Sequence, residues 1–376
     1  MFADPKQRSV AIGVWITSYS VGGAIGPLLG GLLLSHFWWG SVFLIDVPVM
    51  LLLLVVGPVL LPEFRDPDAG RMDLLSAALS LAAVLLVIYG IKQIAQNGPG
   101  WWPAGSIVAG LLVGVGFIRR QRGLEDPLID LRLFRVPAFT AALGSYTLGT
   151  LIAFGIFLFI SQYLQLVLGQ SPLQAGLWML PIFIGFIVGS MLSPWLARRI
   201  APATLMGAGL VMAAIGFLVL TRVEAGSGLV ALVTGNAIYS LGLAPVFTLT
   251  TDLIVGAAPP ERAGAAAALS ETGSELGGAL GVAMLGSIGT AVYRGAMTHG
   301  IPAGIPPAAG EVARSTLGGA VAVAGRLPTE AGAELVTAAR EAFTRSMIVA
   351  AAVSAVVALA TAVAVTVLLR KALRPA

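Results

Sequence analysis

Two carboxylates one helical turn apart, Glu271 and Glu275, interrupt an otherwise apolar and glycine-rich run that begins near Ala263. A spacing of four places both on one face of a helix. Counted from Ala263 at 1.5 Å per residue, they lie roughly 12 and 18 Å along it, so Glu275 falls near the middle of a bilayer. An ionised acid at that depth costs about 2.5–3.5 kcal/mol on insertion scales, and such residues mark ion or proton pathways. Burial and like charge act on both acids together, so they would exchange protons as a coupled unit. Gly273, Gly277 and Gly281 occupy a different face, suited to close packing on a neighbour. One face of this helix is thus expected to pack and the other to offer carboxylates to a cavity. The alternative is a structural pair held by buried hydrogen bonds or an ion pair, although no Lys or Arg lies at a comparable depth to serve it.

Other polar and aromatic residues inside apolar segments are weaker candidates. Asp46 lies some five residues into its segment, where a capping or packing role competes with a functional one. Asp252 falls near the end of its segment and reads either as an interfacial charge or as a gate. Gln162, Gln165 and Asn236 serve as interhelical glue or as substrate contacts. Trp15, Tyr146, Phe154 and Trp178 offer faces on which a flat cation could stack, or simply pack.

The elements that would position these groups follow from composition. Hydrophobic residues make up 57% of the 376 and charged residues 11%, with a mean hydropathy of +0.92. A water-facing domain carries about 25% charged residues, so a soluble globule is excluded. Ten runs are long enough to span a bilayer as helices: 10–34, 41–61, 73–92, 102–119, 138–166, 173–197, 203–221, 228–254, 263–292 and 346–370. None alternates apolar and polar residues as barrel strands do. The expected fold is all-α, a polytopic transmembrane helix bundle.

Absences restrict the chemistry. There is no cysteine, and His36 and His299 are the only histidines, which leaves no basis for a thiolate or histidine metal centre. None of the three lysines (Lys6, Lys92, Lys371) sits in a phosphate-cradling GxxxxGK[ST] loop. An enzyme is not indicated, no cofactor is implied, and transport would draw on an existing gradient.

Charge distribution sets the orientation. Most Lys and Arg residues fall on one side, among them Arg8, Arg65, Arg71, Arg198, Arg199, Arg262, Arg370 and the cluster from Arg119 to Arg135, whereas the short loops opposite carry Lys92 and Arg222. By the positive-inside rule both termini are cytoplasmic. The surplus of positive charge is therefore a topology signal, with contact to anionic lipid plausible and nucleic acid not implied. The long loop 294–345 is then external. Its two moderately amphipathic stretches, 309–324 and 329–344, suggest a short helical hairpin, with an unstructured Ala/Gly-rich loop as the alternative.

A further motif gives the bundle a family likeness. Gly22, Gly26, Pro27, Gly30 and Gly31 spell G-x-x-x-G-P-x-x-G-G, with Gly22, Gly26 and Gly30 forming a bare stripe for close helix approach. This resembles the antiporter motif in the fifth helix of the major facilitator superfamily. The segments around Asp4-Pro5, Phe37–Ile45 and Val47-Pro48 are similar to fourteen-span drug:proton exporters of the QacA type. So are Asp252, Pro259–Gly264 and Ser270–Gly278, and the likeness covers essentially the whole chain.

That resemblance implies a proton-driven antiporter in a bacterial cytoplasmic membrane, with Glu271 and Glu275 as coupling acids. Its substrates would be hydrophobic or cationic compounds such as quaternary ammonium antiseptics and dyes, moving against protons, with membrane lipid as the surroundings. Export of an endogenous metabolite or lipid on the same scaffold, or a membrane protein that does not transport, are the alternatives. The resemblance also implies a division: 1–61 as the last two helices of an amino-terminal half, 62–137 as a two-helix insert with linker, and 138–376 as a six-helix carboxyl half. The family's first four helices have no counterpart here, so the sequence reads as part of a longer transporter or as one whose start lies upstream.

Overall fold

A computed structural model describes residues 5–60, 73–124, 127–257 and 263–372. Among these the only regular structure is helical, and ten stretches are long and apolar enough to cross a membrane. The chain is a multi-pass, all-α membrane protein.

Three helices open it: α1 (Pro5–His36), the short α2 (Ser41–Leu44) and α3 (Asp46–Leu60). A hairpin of α4 (Leu74–Asn97) and α5 (Trp101–Gly123) follows. The six long helices after it are α6 (Pro137–Gln162), α7 (Pro172–Leu196), α8 (Pro202–Leu220), α9 (Leu229–Ala257), α10 (Ala263–Gly300) and α13 (Thr329–Ala372). Two short helices, α11 (Pro307–Ser315) and α12 (Leu317–Ala324), fill the loop between the last two.

Lipid tails are as apolar as leucine, so helices in a bilayer associate through close packing and polar contacts rather than through apolar burial. Glycine makes those contacts here. A Cβ at Gly216 of α8 would lie 2.8 Å from the Gly235 carbonyl oxygen of α9, and one at Gly189 of α7 would lie 3.1 Å from that of Leu241. Phe217 and Tyr239, both buried, stack across the α8–α9 seam at 4.8 Å. By contrast α3 buries none of its residues.

The α4–α5 hairpin is latched at its linker end. Asp73 caps α4 by accepting from the backbone of Leu75 and Ser76, and forms a 2.9 Å ion pair with Arg120. Hydrogen bonds from Arg120 and from the Ser76 hydroxyl hold the Asp73 carboxyl far below the usual carboxylate range. Buried Gln121 donates to the Ser76 hydroxyl and accepts from the Ile129 backbone, tying hairpin to linker.

Two boundaries differ from the sequence expectation. Apolar counting stops the third span at Lys92, but α4 runs to Asn97. Asn97 donates to Gln93 and Gln93 to Tyr89, a polar ladder along one face. The helix stops only where Gly98 adopts φ +83° and donates back to the Ile94 carbonyl. The last span, expected over 346–370 with a separate stretch at 329–344, is instead one 44-residue helix. No Gly or Pro interrupts residues 333–372, and Leu335, Ala339, Ala342 and Phe343 bury one face continuously with the span. The loop therefore folds with α12 packed beside the extended end of α13 and α11 lying against α12 and α10, rather than as an independent hairpin.

This cap is fastened by named contacts. The Tyr293 hydroxyl donates to the Ala313 carbonyl at 3.0 Å, Arg294 pairs with Glu311 at 3.0 Å, and Arg340 Nε donates to the Leu166 carbonyl at 3.0 Å. Leu166 belongs to a π-helical turn, Tyr163–Val167, that closes α6.

Candidate functional site

The α10 sequence has the two faces its spacing suggests. On one, the backbone lies directly on α6: a Cβ at Gly273 would come within 2.8 Å of Leu143 Cδ1, one at Gly277 would meet Thr147 and Thr150, and one at Gly281 would meet the Leu151 backbone. On another, Glu271 and Glu275 are exposed. Among the described residues neither carboxylate has an ion-pair partner.

Aromatic hydroxyls converge on the acids from two other helices. Tyr19 of α1 lies within electrostatic reach of both. Tyr146 of α6 is buried, senses Glu271, and turns its hydroxyl toward Ser274 of α10 and Thr251 of α9. Its ring stands edge-on to Phe247 at 5.4 Å. The two acids and two tyrosines therefore sit where α1, α6, α9 and α10 approach one another.

Toward the cap end this region opens into a cavity of about 720 Å³ between α4, α6, α10, α12 and α13. Glu275 and Ser274 lie at its deep end by their place along α10. Phe154, Leu158 and Val282 give it an apolar wall, and Gln162, Lys92 and Gln96 line it nearer the cap. A volume of this size suits a drug-sized molecule.

The candidates named from sequence separate accordingly. The cavity gathers Glu275, Phe154 and Gln162, with Glu271 and Tyr146 beside it. Asp46 opens α3 and is exposed, while Asp252 is half-buried near the end of α9. Gln165 donates to Ser161 on its own helix. Trp178 is exposed on α7. Asn236 is fully buried in α9, with neither amide atom hydrogen-bonded to the described residues. None of these five lines the cavity. The Trp15 side chain lies outside the described residues.

The Gly22/Gly26/Gly30 stripe does not make the expected contact. Among the described residues Gly22 and Gly26 meet nothing within 4 Å, and Gly30 touches only Val42. The close approach of α1 to α7 is made on the adjacent face instead. There Gly23 abuts Phe183, Gly31 lies 2.6 Å (as Cβ) from the Leu173 backbone, and Gly176 of α7 lies 3.0 Å from the Pro27 carbonyl. Both i, i+4 series were present in the sequence, and spacing alone does not say which faces a partner.

Sequence reasoning missed Lys92, Gln96 and Tyr19. Lys92 was read as the end of its span and as a loop charge, and Gln96 fell beyond it; the Asn97-Gly98-Pro99 stop signal would have placed both inside.

Ten helices able to span a membrane among the described residues, with paired carboxylates beside a cavity between them, have the architecture of a membrane transporter. The chain belongs to the major facilitator superfamily, whose model matches residues 1–282. It is 39% identical to the multidrug efflux pump LfrA of Mycolicibacterium smegmatis, over 99% of this chain and 73% of that one. It is 34% identical to the methyl viologen resistance protein SmvA of Salmonella typhimurium, over 91% and 69%. It is 32% identical to the tetracenomycin C resistance and export protein of Streptomyces glaucescens, over 98% and 70%. In fold it is similar to a bacterial homologue of the human lysosomal transporter Spinster, solved inward-facing and unoccupied, with a TM-score of 0.56 at 20% identity over 99% of this chain and 74% of that one.

Proposed function

We propose that this protein exports hydrophobic, mainly cationic compounds across a bacterial cytoplasmic membrane in exchange for protons, in the manner of fourteen-span drug exporters, with both termini cytoplasmic. The observation that carries the proposal is the acid pair on α10. Two carboxylates one turn apart lie on a face not packed by α6, and the deeper one lines a drug-sized cavity with an aromatic wall. The names of the similar efflux and resistance proteins support a drug substrate.

The chemistry follows from charge balance in a low-dielectric site. A carboxylate there is satisfied either by a proton or by an organic cation, not by both. Facing the cell exterior, the pair takes up protons and releases its cation. Facing the cytoplasm, it loses protons and binds cation again. Rocking of helix groups about a midplane site alternates the access. The groups close to the pair are Tyr19, within electrostatic reach of both acids, and Tyr146, whose hydroxyl turns toward Ser274 and Thr251. No cofactor enters this scheme, and the proton gradient supplies the energy.

The test is substrate-induced proton release from purified protein between pH 5 and 9, using methyl viologen as the cation. Glu275→Gln keeps shape and hydrogen bonding but cannot exchange a proton, so release should disappear while the variant still folds. Glu271→Gln should reduce release less. Unchanged release from the Glu275→Gln protein would show that the pair is structural and turn attention to Asp252 and Asp46.

A further inference from the structure

Lys92 has no part in the scheme above, yet it shares the cavity with Glu275. It projects from α4, and α4 is the helix through which the α4–α5 hairpin packs against α10. It is exposed within the cavity wall, and among the described residues it forms no ion pair or hydrogen bond. Among the described residues no other Lys or Arg lines the cavity. Tyr293 also lines it, but its hydroxyl is committed to the Ala313 carbonyl. Among the described residues, those lining the cavity thus include one carboxylate and one unpaired ammonium, together with the apolar surface of Phe154, Leu158 and Val282.

An ammonium on a flexible four-carbon stem is a mobile point charge with no fixed hydrogen-bonding geometry. In an environment less polar than water, its attraction to a facing carboxylate is strengthened. An organic cation entering the same cavity would seek the same carboxylate, with its apolar body against the Phe154 wall.

We propose that the cavity between α4 and α10 is a binding site for elongated organic cations, and that Lys92 is a tethered counter-cation competing with them for Glu275. This role rests on the proton-coupled reading of Glu275. Lys92 then sets the affinity threshold: it discourages weakly held cations, and its ammonium replaces a departing substrate at the carboxylate. The hairpin thereby supplies a specificity-determining residue to the helix that carries the acid.

The experiment is equilibrium binding of methyl viologen (a dication), ethidium (a monocation) and a neutral amphiphile of similar size to the full 376-residue chain in nanodiscs of zwitterionic lipid. Lys92→Gln should tighten ethidium and methyl viologen binding by the same factor, about two- to fivefold, leaving the neutral compound unchanged. Lys92→Arg, which keeps the charge, should bind as the parent does and controls for packing. In a Glu275→Gln background, Lys92→Gln should have no effect.

Unchanged or weaker cation binding by a folded Lys92→Gln protein would overturn the proposal. So would tightening that persists without Glu275, since that would be general repulsion and not competition. Cation binding that survives Glu275→Gln would refute the coupling role itself. Loss of binding in Glu275→Gln together with a silent Lys92→Gln would refute only the role of Lys92.

Discussion

Replacing Gly281 by alanine tests whether the α6–α10 seam positions the acid pair. The added Cβ would collide with the Leu151 carbonyl oxygen and approach its carbon and Cα to 2.8 and 2.9 Å. These are backbone atoms and cannot rotate away. Carbon–carbon contact is comfortable only near 3.5 Å, so the two helices must part by about half an ångström or more. Overpacking of this kind costs about 1–3 kcal/mol. Alanine at Gly22 or Gly26 meets nothing within 4 Å, and the helix gains up to about 1 kcal/mol from the better helix former. The pair of experiments therefore has opposite expected signs. Thermal unfolding of detergent-purified protein, followed by tryptophan fluorescence, should show Gly281→Ala melting several degrees below the parent, with Gly22→Ala and Gly26→Ala at or above it. Methyl viologen binding should weaken in Gly281→Ala, because separating the helices moves Glu275 relative to Phe154. A Gly281→Ala protein as stable as the parent would refute the reasoning, as would a Gly26→Ala protein destabilised to the same degree.

Three further outcomes are expected. Asp73 has a lowered carboxyl pKa in the folded state, so its latch is fully present above the unfolded value near 4 and is lost as pH falls through the lower folded value; Asp73→Asn should remove that acid-range loss and lower the melting temperature at neutral pH, and an unaltered acid profile would contradict the assignment. Tyr293→Phe deletes one buried hydrogen bond, costing about 0.5–1.5 kcal/mol, and should speed proteolysis across 301–328; unchanged cleavage rates would mean the cap is held elsewhere. Single cysteines introduced at positions 124, 310 and 374 and probed with an impermeant reagent in intact cells should label at 310 only, and labelling at 124 would invert the proposed orientation.

Much of the architecture could be read from the chain because span formation depends on a one-dimensional property, the length of apolar runs. What sequence conveys poorly is where a helix stops once polar residues begin. Lys92 looked terminal, although the last turn of α4 continues through a Tyr89–Gln93–Asn97 ladder to Gly98. Nothing between Ala333 and Met347 breaks a helix, yet the charges of that stretch made it look separate from the span. The two-faced character of α10 was legible because its acids and glycines alternate in register. In α1 the register was ambiguous, since Gly22/Gly26/Gly30 and Gly23/Pro27/Gly31 are equally regular and only the position of α7 decides between them. A cavity beside the acids was expected, but not its place or its lining, because it forms only where α4 meets α10, two helices far apart in the chain.

The length of α13 has a mechanical consequence. Forty-four residues in one helix span about 66 Å, more than twice the hydrocarbon thickness. A small tilt of such a rod is amplified along its length. A tilt of about 10° pivoting at its carboxyl-terminal end would sweep its amino-terminal end through roughly 11 Å on that length. Toward that amino-terminal end Arg340 grips the π-helical turn of α6, and α12 lies alongside. A change of tilt at one end of α13 would thus arrive at the other as a displacement of the short helices beside the cavity, so that a single lever gears the two ends together.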